Sequence, residues 1–229
     1  MCGSLNTSEP RTLLDELRAL PLLAVLRPVR PLEALSRIAL LSAAGIRHVE
    51  IAWSPWSRWS LECRELAERY PAIRFGAASV RSLEGLEAAR QAGFTFAFSP
   101  VLDPQLLSWA HQLGITLVPG VFTPTEVHRA VELGCTAVKL FPARTLGRGY
   151  WASLSGALAP LPFCIAAGGL QVADLSSWLQ GGVDALALGS TLFESIITES
   201  GGSPRLDPCL ADWVAAYPSL PGTLHQRLH

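Results

Sequence analysis

Short apolar runs alternate with longer amphipathic segments along most of the chain. The longer segments, such as PLEALSRIALLSAAG at 31–45, place apolar residues at helical spacing, which predicts amphipathic helices. The short runs are apolar on successive residues, as expected of strands buried on both faces of a parallel sheet. Eight of these runs, spaced 20 to 26 residues apart, begin at Leu22, His48, Arg74, Phe96, Thr116, Ala137, Phe163 and Ala185.

Eight strand-helix units within 229 residues fit one closed barrel. We therefore predict an α/β fold, a single-domain (β/α)8 TIM barrel spanning residues 1–229, with its core at about 20–200. A doubly wound open sheet is the alternative, because it also alternates strands with helices. The segment before Leu22, TLLDELRAL, predicts an extra N-terminal helix that closes the barrel floor, and 201–229 predicts a C-terminal helix and tail.

Residues with known capping preferences mark the predicted helix ends. Glycine adopts the left-handed conformation beyond a helix at little cost, and Ser, Thr or Asp side chains accept hydrogen bonds from the first helical N–H groups. On this basis helices end at Gly45, Gly93, Gly114 and Gly134 and begin near Ser82, Asp103 and Thr125.

The composition narrows the class of partner. Hydrophobic residues make up 49% of the chain, which supplies a large core and excludes disorder over most of its length. The net charge is −1, with no long run of either sign, so the chain lacks the basic patch of proteins that bind nucleic acids or anionic membranes. We expect small molecules or further copies of this chain as partners.

The N-terminal residues and the cysteines bear on location. The first twenty residues mix acidic with apolar side chains, unlike a signal peptide or a membrane span. The five cysteines are scattered and form no CxxC pair, which favours reduced thiols. The histidines lack the close spacing of a helical metal motif. We therefore expect a cytoplasmic protein without a metal site.

Lysine occurs once, at Lys139, whereas arginine occurs seventeen times. Lys139 lies within the apolar segment AVKLFPA, in the sixth predicted strand. Arginine has replaced lysine at every other basic position, so a requirement for an amine at this one position would explain the exception. A compositional bias with one surviving lysine is the alternative.

Reactive groups of TIM barrels lie at the carboxyl ends of the strands and in the loops that follow. Side chains alternate between the two faces of a strand, so Glu50 lies opposite Val49 and Ile51, and Lys139 lies opposite Leu140. If the apolar sets face the helices, Glu50 and Lys139 both point into the barrel mouth. An inert buried ion pair is the alternative.

Burial favours a reactive role for this lysine. Desolvation disfavours the ammonium form and lowers the lysine pKa, and a positive charge from Arg27 would lower it further. A neutral amine attacks ketones to give a Schiff base, which draws electrons from the neighbouring carbon–carbon bond. Such a reaction also needs a group that moves protons, and Glu50 is the acid on a strand position facing the mouth.

Glycines after the last two strands predict an anion site. Gly168 with Gly169, and Gly189 with Ser190, fall in the loops where barrels place phosphate. Backbone N–H groups without side chains around them can converge on an anion there. The predicted substrate thus carries a phosphate at one end and a ketone at the other.

A set of distinctive segments runs from about Leu20 to Glu194, and VKLFPA at 138–143 is the most specific of them. The others are LPLLAVLRPVRPLEAL at 20–35, VEIAWSP at 49–55, GAASV at 76–80, FSP at 98–100, VPGVFTPTE at 118–126, AAGG at 166–169 and LGS at 188–190. In these segments the chain resembles the 2-keto-3-deoxy-6-phosphogluconate and 2-keto-4-hydroxyglutarate aldolases, and within them the 2-keto-3-deoxy-6-phosphogalactonate branch.

This resemblance implies a homotrimeric barrel that uses no metal and no cofactor and cleaves a phosphorylated keto sugar acid to pyruvate and glyceraldehyde 3-phosphate. It implies that Lys139 forms the Schiff base, that Glu50 is the general acid and base acting through a water, and that Arg27 binds the pyruvate carboxylate. The remaining residues it implies are Ser79, Pro100, Thr123, Phe141 and Ala167 for substrate and Gly168, Gly169, Gly189 and Ser190 for phosphate.

Several positions depart from the family pattern. Ala78 stands where the family's GAGT has its second glycine, Ala167 where its PTGG has threonine, and Ser54 where gluconate-type members have arginine. The apolar Ala167 is closer to the galactonate branch. The altered loops leave a catalytically silent barrel that binds a phosphorylated sugar acid as the alternative, and a phosphate-binding barrel isomerase as a third.

Overall fold

The computed structural model describes residues 12–194 and 204–217. All eight predicted runs form parallel strands that begin at the predicted residues, and helices alternate with them. The strands are β1 (Leu22–Leu26), β2 (His48–Ala52), β3 (Arg74–Ala78), β4 (Phe96–Phe98), β5 (Thr116–Val118), β6 (Gly120–Val121), β7 (Ala137–Leu140), β8 (Phe163–Ala167) and β9 (Ala185–Leu188). The helices are α1 (Leu13–Ala19), α2 (Leu35–Ala43), α3 (Trp59–Arg69), α4 (Leu83–Gln91), α5 (Pro104–Gln112), α6 (Pro124–Glu132), α7 (Ala143–Leu146), α8 (Tyr150–Leu158), α9 (Leu175–Gln180) and α10 (Pro208–Ala216).

The strands follow the order β5-β4-β3-β2-β1-β9-β8-β7-β6, which confirms the barrel and rules out the doubly wound alternative. The predicted fifth strand is two short strands, because Pro119 between them has no N–H for the ladder. The carbonyl of Val118 accepts a hydrogen bond from Ser99 on one side, and that of Pro119 accepts one from Lys139 on the other, at 2.8 Å. The fifth run therefore closes the ring by passing from one neighbour to the other.

The barrel has two apolar layers. One lies between the strands and the helices and includes Val49, Ile51 and Leu140. The other fills the barrel interior, where Phe96 and Phe98 pack among smaller side chains. The predicted division of strand faces is therefore confirmed: the apolar sets of β2 and β7 face the helices, and the alternate positions face inward.

Helix α1 closes the barrel floor, as predicted. Thr12 and Asp15 form a capping box at its start, and Leu17 packs into the interior. Burial lowers the pKa of His48, so its neutral imidazole donates a hydrogen bond to the Glu16 carboxylate at 2.9 Å. Since His48 begins β2, helix α1 lies at the amino ends of the strands.

The predicted caps hold with one correction. Glycines of positive φ follow the helices at all four predicted ends, and Ser82 and Asp103 cap α4 and α5. Helix α6 is capped by Thr123 and not by Thr125, because the proline at position 124 occupies the first helical position.

Helix α10 lies within the predicted C-terminal segment 201–229. The predicted tail beyond residue 217 is outside the described residues. In the described part of the chain, no helix combines the length and the apolar character needed to cross a bilayer.

Candidate active site

Lys139 lies on β7 with only 3% of its surface exposed. Its Nζ is 5.0 Å from the centre of the Phe141 ring. Burial lowers the pKa of the lysine, and the charge of Arg27 lowers it further, while the Glu50 carboxylate opposes both effects. A larger share of neutral amine is therefore present near neutral pH than for an exposed lysine.

Glu50 lies on β2 and is fully buried. Neither of its carboxyl oxygens has a hydrogen-bond partner among the described residues. Burial raises the pKa of Glu50 to about 7, against the opposing effects of Lys139 and Arg27. A carboxyl group with this pKa can both take up and release a proton at neutral pH, as an acid-base catalyst must.

Arg27 and Ser79 meet at the carboxyl ends of β1 and β3. The Arg27 guanidinium donates a hydrogen bond to the Ser79 hydroxyl at 2.7 Å. Ser79 has a φ of 60°, a left-handed conformation that costs energy in a residue with a Cβ and is concentrated at functional sites. The contact fixes one side of the guanidinium and leaves its remaining N–H groups for an anion.

A cavity of about 350 Å³ opens beside these residues at the carboxyl ends of the strands. It brings together eight of the twelve predicted site residues. These are Arg27, Lys139, Phe141, Ala167, Gly168, Gly169, Gly189 and Ser190.

The two glycine loops form one wall of this cavity. Gly168 and Gly169 have φ values of 96° and 79°. Their carbonyls accept hydrogen bonds from Arg144, whose backbone N–H donates to Gly168 at 3.2 Å and whose guanidinium donates to Gly169 at 2.9 Å. The Thr191 hydroxyl bonds to the carbonyl of Leu170 at 2.8 Å and thereby ties this loop to the loop after β9.

The other four predicted residues do not line the cavity. Glu50 is fully buried, and the Ser79 hydroxyl accepts a hydrogen bond from Arg27, which does line the cavity. The backbone of Pro100 packs against Gly120, where a Cβ would approach it to 2.3 Å. The Thr123 hydroxyl caps α6 and exchanges hydrogen bonds with Glu126. Roles for Pro100 and Thr123 in substrate binding therefore stay predictions.

Sequence reasoning did not identify Arg37, which also lines the cavity. Arg37 lies on α2, which continues directly from the 3-10 turn Pro31–Ala34. One arginine among seventeen is not distinctive, so the sequence alone gives no signal that singles it out.

A larger cavity, of about 630 Å³, lies at the amino ends of the strands and is lined by Glu16, His48 and Arg74. It is at the opposite end of the barrel from Lys139, the one lysine of the chain. Among residues 12–194 and 204–217, no cluster of three His, Cys, Asp or Glu side chains is arranged to hold a metal ion.

A protein-family model described as "Aldolase: KDPG and KHG aldolase" matches residues 13–207. The chain is similar to the 2-dehydro-3-deoxy-6-phosphogalactonate aldolase of Escherichia coli, with 30% identity over 120 residues. That match covers 52% of this chain and 58% of the relative, so the chain spans somewhat more than half of that relative's length.

Two solved structures share the fold. One is described as "Native KDPGal structure"; it has 28% identity and a TM-score of 0.72, with 87% of this chain and 95% of that chain covered. The other is a cube-shaped, highly porous protein cage designed by fusing symmetric oligomeric domains. It has 29% identity and a TM-score of 0.71, with 87% of this chain and 71% of that chain covered.

Proposed function

This chain belongs to the KDPG and KHG aldolase family, and we propose that it is a class I aldolase, a lyase that works through a Schiff base. Its substrate is a 2-keto-3-deoxy-6-phospho sugar acid of the phosphogluconate or phosphogalactonate type. The products are pyruvate and glyceraldehyde 3-phosphate. The observation that carries the proposal is the single lysine of the chain, buried beside Glu50 and open to the cavity that holds the glycine loops.

The reaction begins at Lys139. Its neutral amine attacks the C2 ketone, and loss of water gives a protonated imine. The C3–C4 bond then breaks as the C4 hydroxyl loses its proton, and the electron pair of that bond moves into the imine to give an enamine. Glyceraldehyde 3-phosphate leaves, C3 of the enamine takes up a proton, and water hydrolyses the resulting imine to release pyruvate and free the lysine.

Glu50 supplies the proton transfers of this sequence. It takes the C4 hydroxyl proton as the bond breaks and returns a proton to C3 of the enamine, through a water molecule. A raised pKa of about 7 suits both steps, because the group changes protonation state at little free-energy cost near neutral pH.

Arg27 and the glycine loops hold the two ends of the substrate. Arg27 binds the carboxylate of the pyruvate portion, which places the C2 ketone near Lys139. The N–H groups around Gly168, Gly169, Gly189 and Ser190 bind the phosphate. Ala167 also lines the cavity. It presents a methyl group at the position where the PTGG pattern has a threonine hydroxyl, and this favours the galactonate-type substrate.

Borohydride trapping tests the proposal directly. The chain is incubated with pyruvate and sodium borohydride, and the adduct is mapped by peptide mass spectrometry, since reduction makes a Schiff base permanent. We expect a lactyl-type adduct on Lys139 in the wild type and none in Lys139→Met. Lys139→Met and Lys139→Arg should also release no pyruvate from the phosphorylated sugar acid.

A folded wild type that forms no adduct, or a Lys139→Met variant that still releases pyruvate, would overturn the aldolase proposal. The catalytically silent barrel gives a different pattern. It predicts that the phosphorylated sugar acid binds equally well to the wild type and to Lys139→Met, with no pyruvate released by either.

We also propose a homotrimer located in the cytoplasm. The similarity to a chain within a cage built from symmetric oligomeric domains supports assembly of several copies. The proposed cytoplasmic location is supported by the scattered cysteines, which form no CxxC pair and favour reduced thiols.

A further inference from the structure

We propose that Arg37 is the cation that binds the phosphate of the substrate and makes the enzyme selective for phosphorylated over unphosphorylated aldehydes. This inference rests on the proposed function and adds to it a residue that the motifs did not indicate. Arg37 lies on α2 and lines the same cavity as Lys139 and both glycine loops.

The glycine loops present neutral donors to an anion. Within the described residues, the N–H groups of Gly168, Gly169 and Gly189 donate to no other backbone carbonyl. These groups can bind phosphate oxygens, but they carry no full charge to balance a phosphate group of about −1.5 to −2 near pH 7. A cation at this end of the cavity is needed to balance that charge.

Three basic side chains of the described residues line the cavity, and we assign two of them to the ketone end. Lys139 is buried on β7 as the reacting amine, and Arg27 is hydrogen-bonded to Ser79. Arg37 is exposed and forms no salt bridge with any carboxylate in the described part of the chain. It is therefore the arginine of this cavity that remains for the phosphate.

Arg37 is oriented by a contact with the phosphate loop itself. Its guanidinium carbon lies 5.5 Å from the centre of the Phe193 ring, within the range of a cation–π interaction. The backbone N–H of Phe193 bonds to the carbonyl of Ser190 at 3.1 Å. The residue that carries this ring is thus tied by its backbone to the turn that contains Ser190.

The guanidinium of Arg37 has the shape that phosphate recognition requires. Its planar N–H groups can donate two parallel hydrogen bonds to phosphate oxygens.

The test measures condensation of pyruvate with two aldehydes that differ only in the phosphate, D-glyceraldehyde 3-phosphate and D-glyceraldehyde. We expect Arg37→Gln to raise the KM for glyceraldehyde 3-phosphate about 10- to 100-fold, the range of a lost charge-assisted hydrogen bond. The KM for glyceraldehyde and the rate of pyruvate trapping on Lys139 should stay at wild-type values. Arg37→Lys should fall between the two, because it keeps the charge and loses the bidentate geometry.

Arg18→Gln is the matched control. Arg18 also places its guanidinium over an aromatic ring, Phe163, at 5.3 Å, and its loss changes the net charge equally. It lies on α1 at the opposite end of the barrel, so we expect wild-type KM values for both aldehydes.

Two kinetic results would overturn the inference: an unchanged KM for glyceraldehyde 3-phosphate in Arg37→Gln, or an equal rise for both aldehydes. Calorimetry with inorganic phosphate decides the point even if the wild type fails to trap pyruvate, in which case the proposed aldolase activity fails separately. Phosphate binding that is lost in Arg37→Gln and kept in Arg18→Gln supports the inference, and binding that is equal in all three proteins contradicts it.

Discussion

Glu50 is a carboxyl group that is fully buried, with neither oxygen hydrogen-bonded among the described residues. Such a group is unfavourable for folding whenever it is ionised. Its pKa shows the size of the effect, since burial raises it from 4.5 to about 7. A carboxyl kept in this environment costs stability, as expected if Glu50 has the proton-transfer function that we propose, and this cost can be measured.

We predict that Glu50→Gln raises the free energy of unfolding relative to the wild type, and that this gain is larger at pH 8 than at pH 5. Between pH 4.5 and 7 the folded wild type binds a proton at Glu50 that the unfolded chain has released, so rising pH destabilises the wild type across this window. Glutamine has no such dependence. The gain should approach about 3 kcal/mol above pH 7, measured by urea unfolding, while turnover falls about 10²- to 10⁴-fold.

Glu62→Gln is the control for that substitution. Glu62 is also buried, but it accepts hydrogen bonds from the Trp56 indole at 3.1 Å and from the backbone of Leu32 at 3.4 Å. Its replacement should bring no gain in stability at either pH. Equal stability differences for Glu50→Gln at pH 5 and pH 8 would contradict the prediction.

The sequence was informative about the ketone end of the site and less so about the phosphate end. Lys139 stood out because lysine occurs once, and strand alternation then placed Glu50 on the same inner face. Arg37 gave no comparable signal, because one arginine among seventeen is not distinctive. Its role depends on the packing of α2 against the turn after β9, which joins segments about 150 residues apart and is not encoded in any local pattern.

At the scale of single elements, the hydroxyl of Thr123 stabilises the start of α6 by capping the helix. Thr123 accepts a hydrogen bond from the Glu126 N–H at 3.3 Å, and the Glu126 carboxylate accepts one from the Thr123 N–H at 2.8 Å. This capping box pairs N–H groups that the helix itself leaves without partners. Desolvation acts to raise the pKa of Glu126, but the hydrogen bonds that its carboxylate accepts from the Phe122 and Thr123 N–H groups and from the Thr123 hydroxyl lower the pKa overall.

We predict that Thr123→Ala lowers the free energy of unfolding by about 1 kcal/mol and leaves the KM values at wild-type level. The loss comes from the missing cap, and the kinetics are spared because Thr123 does not line the cavity. Thr125→Ala is the matched control. Thr125 is an exposed threonine two residues further along the chain, and it does not cap the helix. A raised KM in Thr123→Ala alone would instead assign Thr123 to substrate binding.

The elements themselves were largely predictable, since all eight predicted strands begin at the expected residue and β6 alone was not foreseen as a separate strand. Two details needed the folded chain. Pro119 divides the fifth strand, and its consequence depends on which neighbours the two halves meet. The cap of α6 depends on whether the helix begins at Pro124 or two residues later, a difference that the hydrophobic pattern does not resolve.

At the scale of the whole molecule, the two ends of the barrel have separate tasks. The carboxyl ends of the strands hold the cavity with Lys139, and the amino ends are closed by α1. Many of the inward side chains are alanines, at positions that include Ala137, Ala185 and Ala187. Small interior residues leave space that strand side chains do not fill, so the floor depends on apolar residues from outside the sheet.

Leu17 supplies that filling and is completely buried in the interior cluster. We predict that Leu17→Ala lowers the free energy of unfolding by about 2–5 kcal/mol, measured by urea denaturation, because it removes packed methyl groups and leaves a cavity. Leu14→Ala is the control; Leu14 is only partly buried on the same helix, so its loss should cost about 1 kcal/mol or less.

Pyruvate trapping separates the two ends of the barrel. The folded fraction of Leu17→Ala should still form the Lys139 adduct at the wild-type rate, because the substitution lies at the amino ends of the strands and the amine opens at the carboxyl ends. A slower adduct rate under fully folded conditions would mean that Leu17 on α1 positions the lysine as well as stabilising the barrel. An unchanged free energy of unfolding would mean instead that the interior is already filled by the strands, and α1 would then be dispensable for stability.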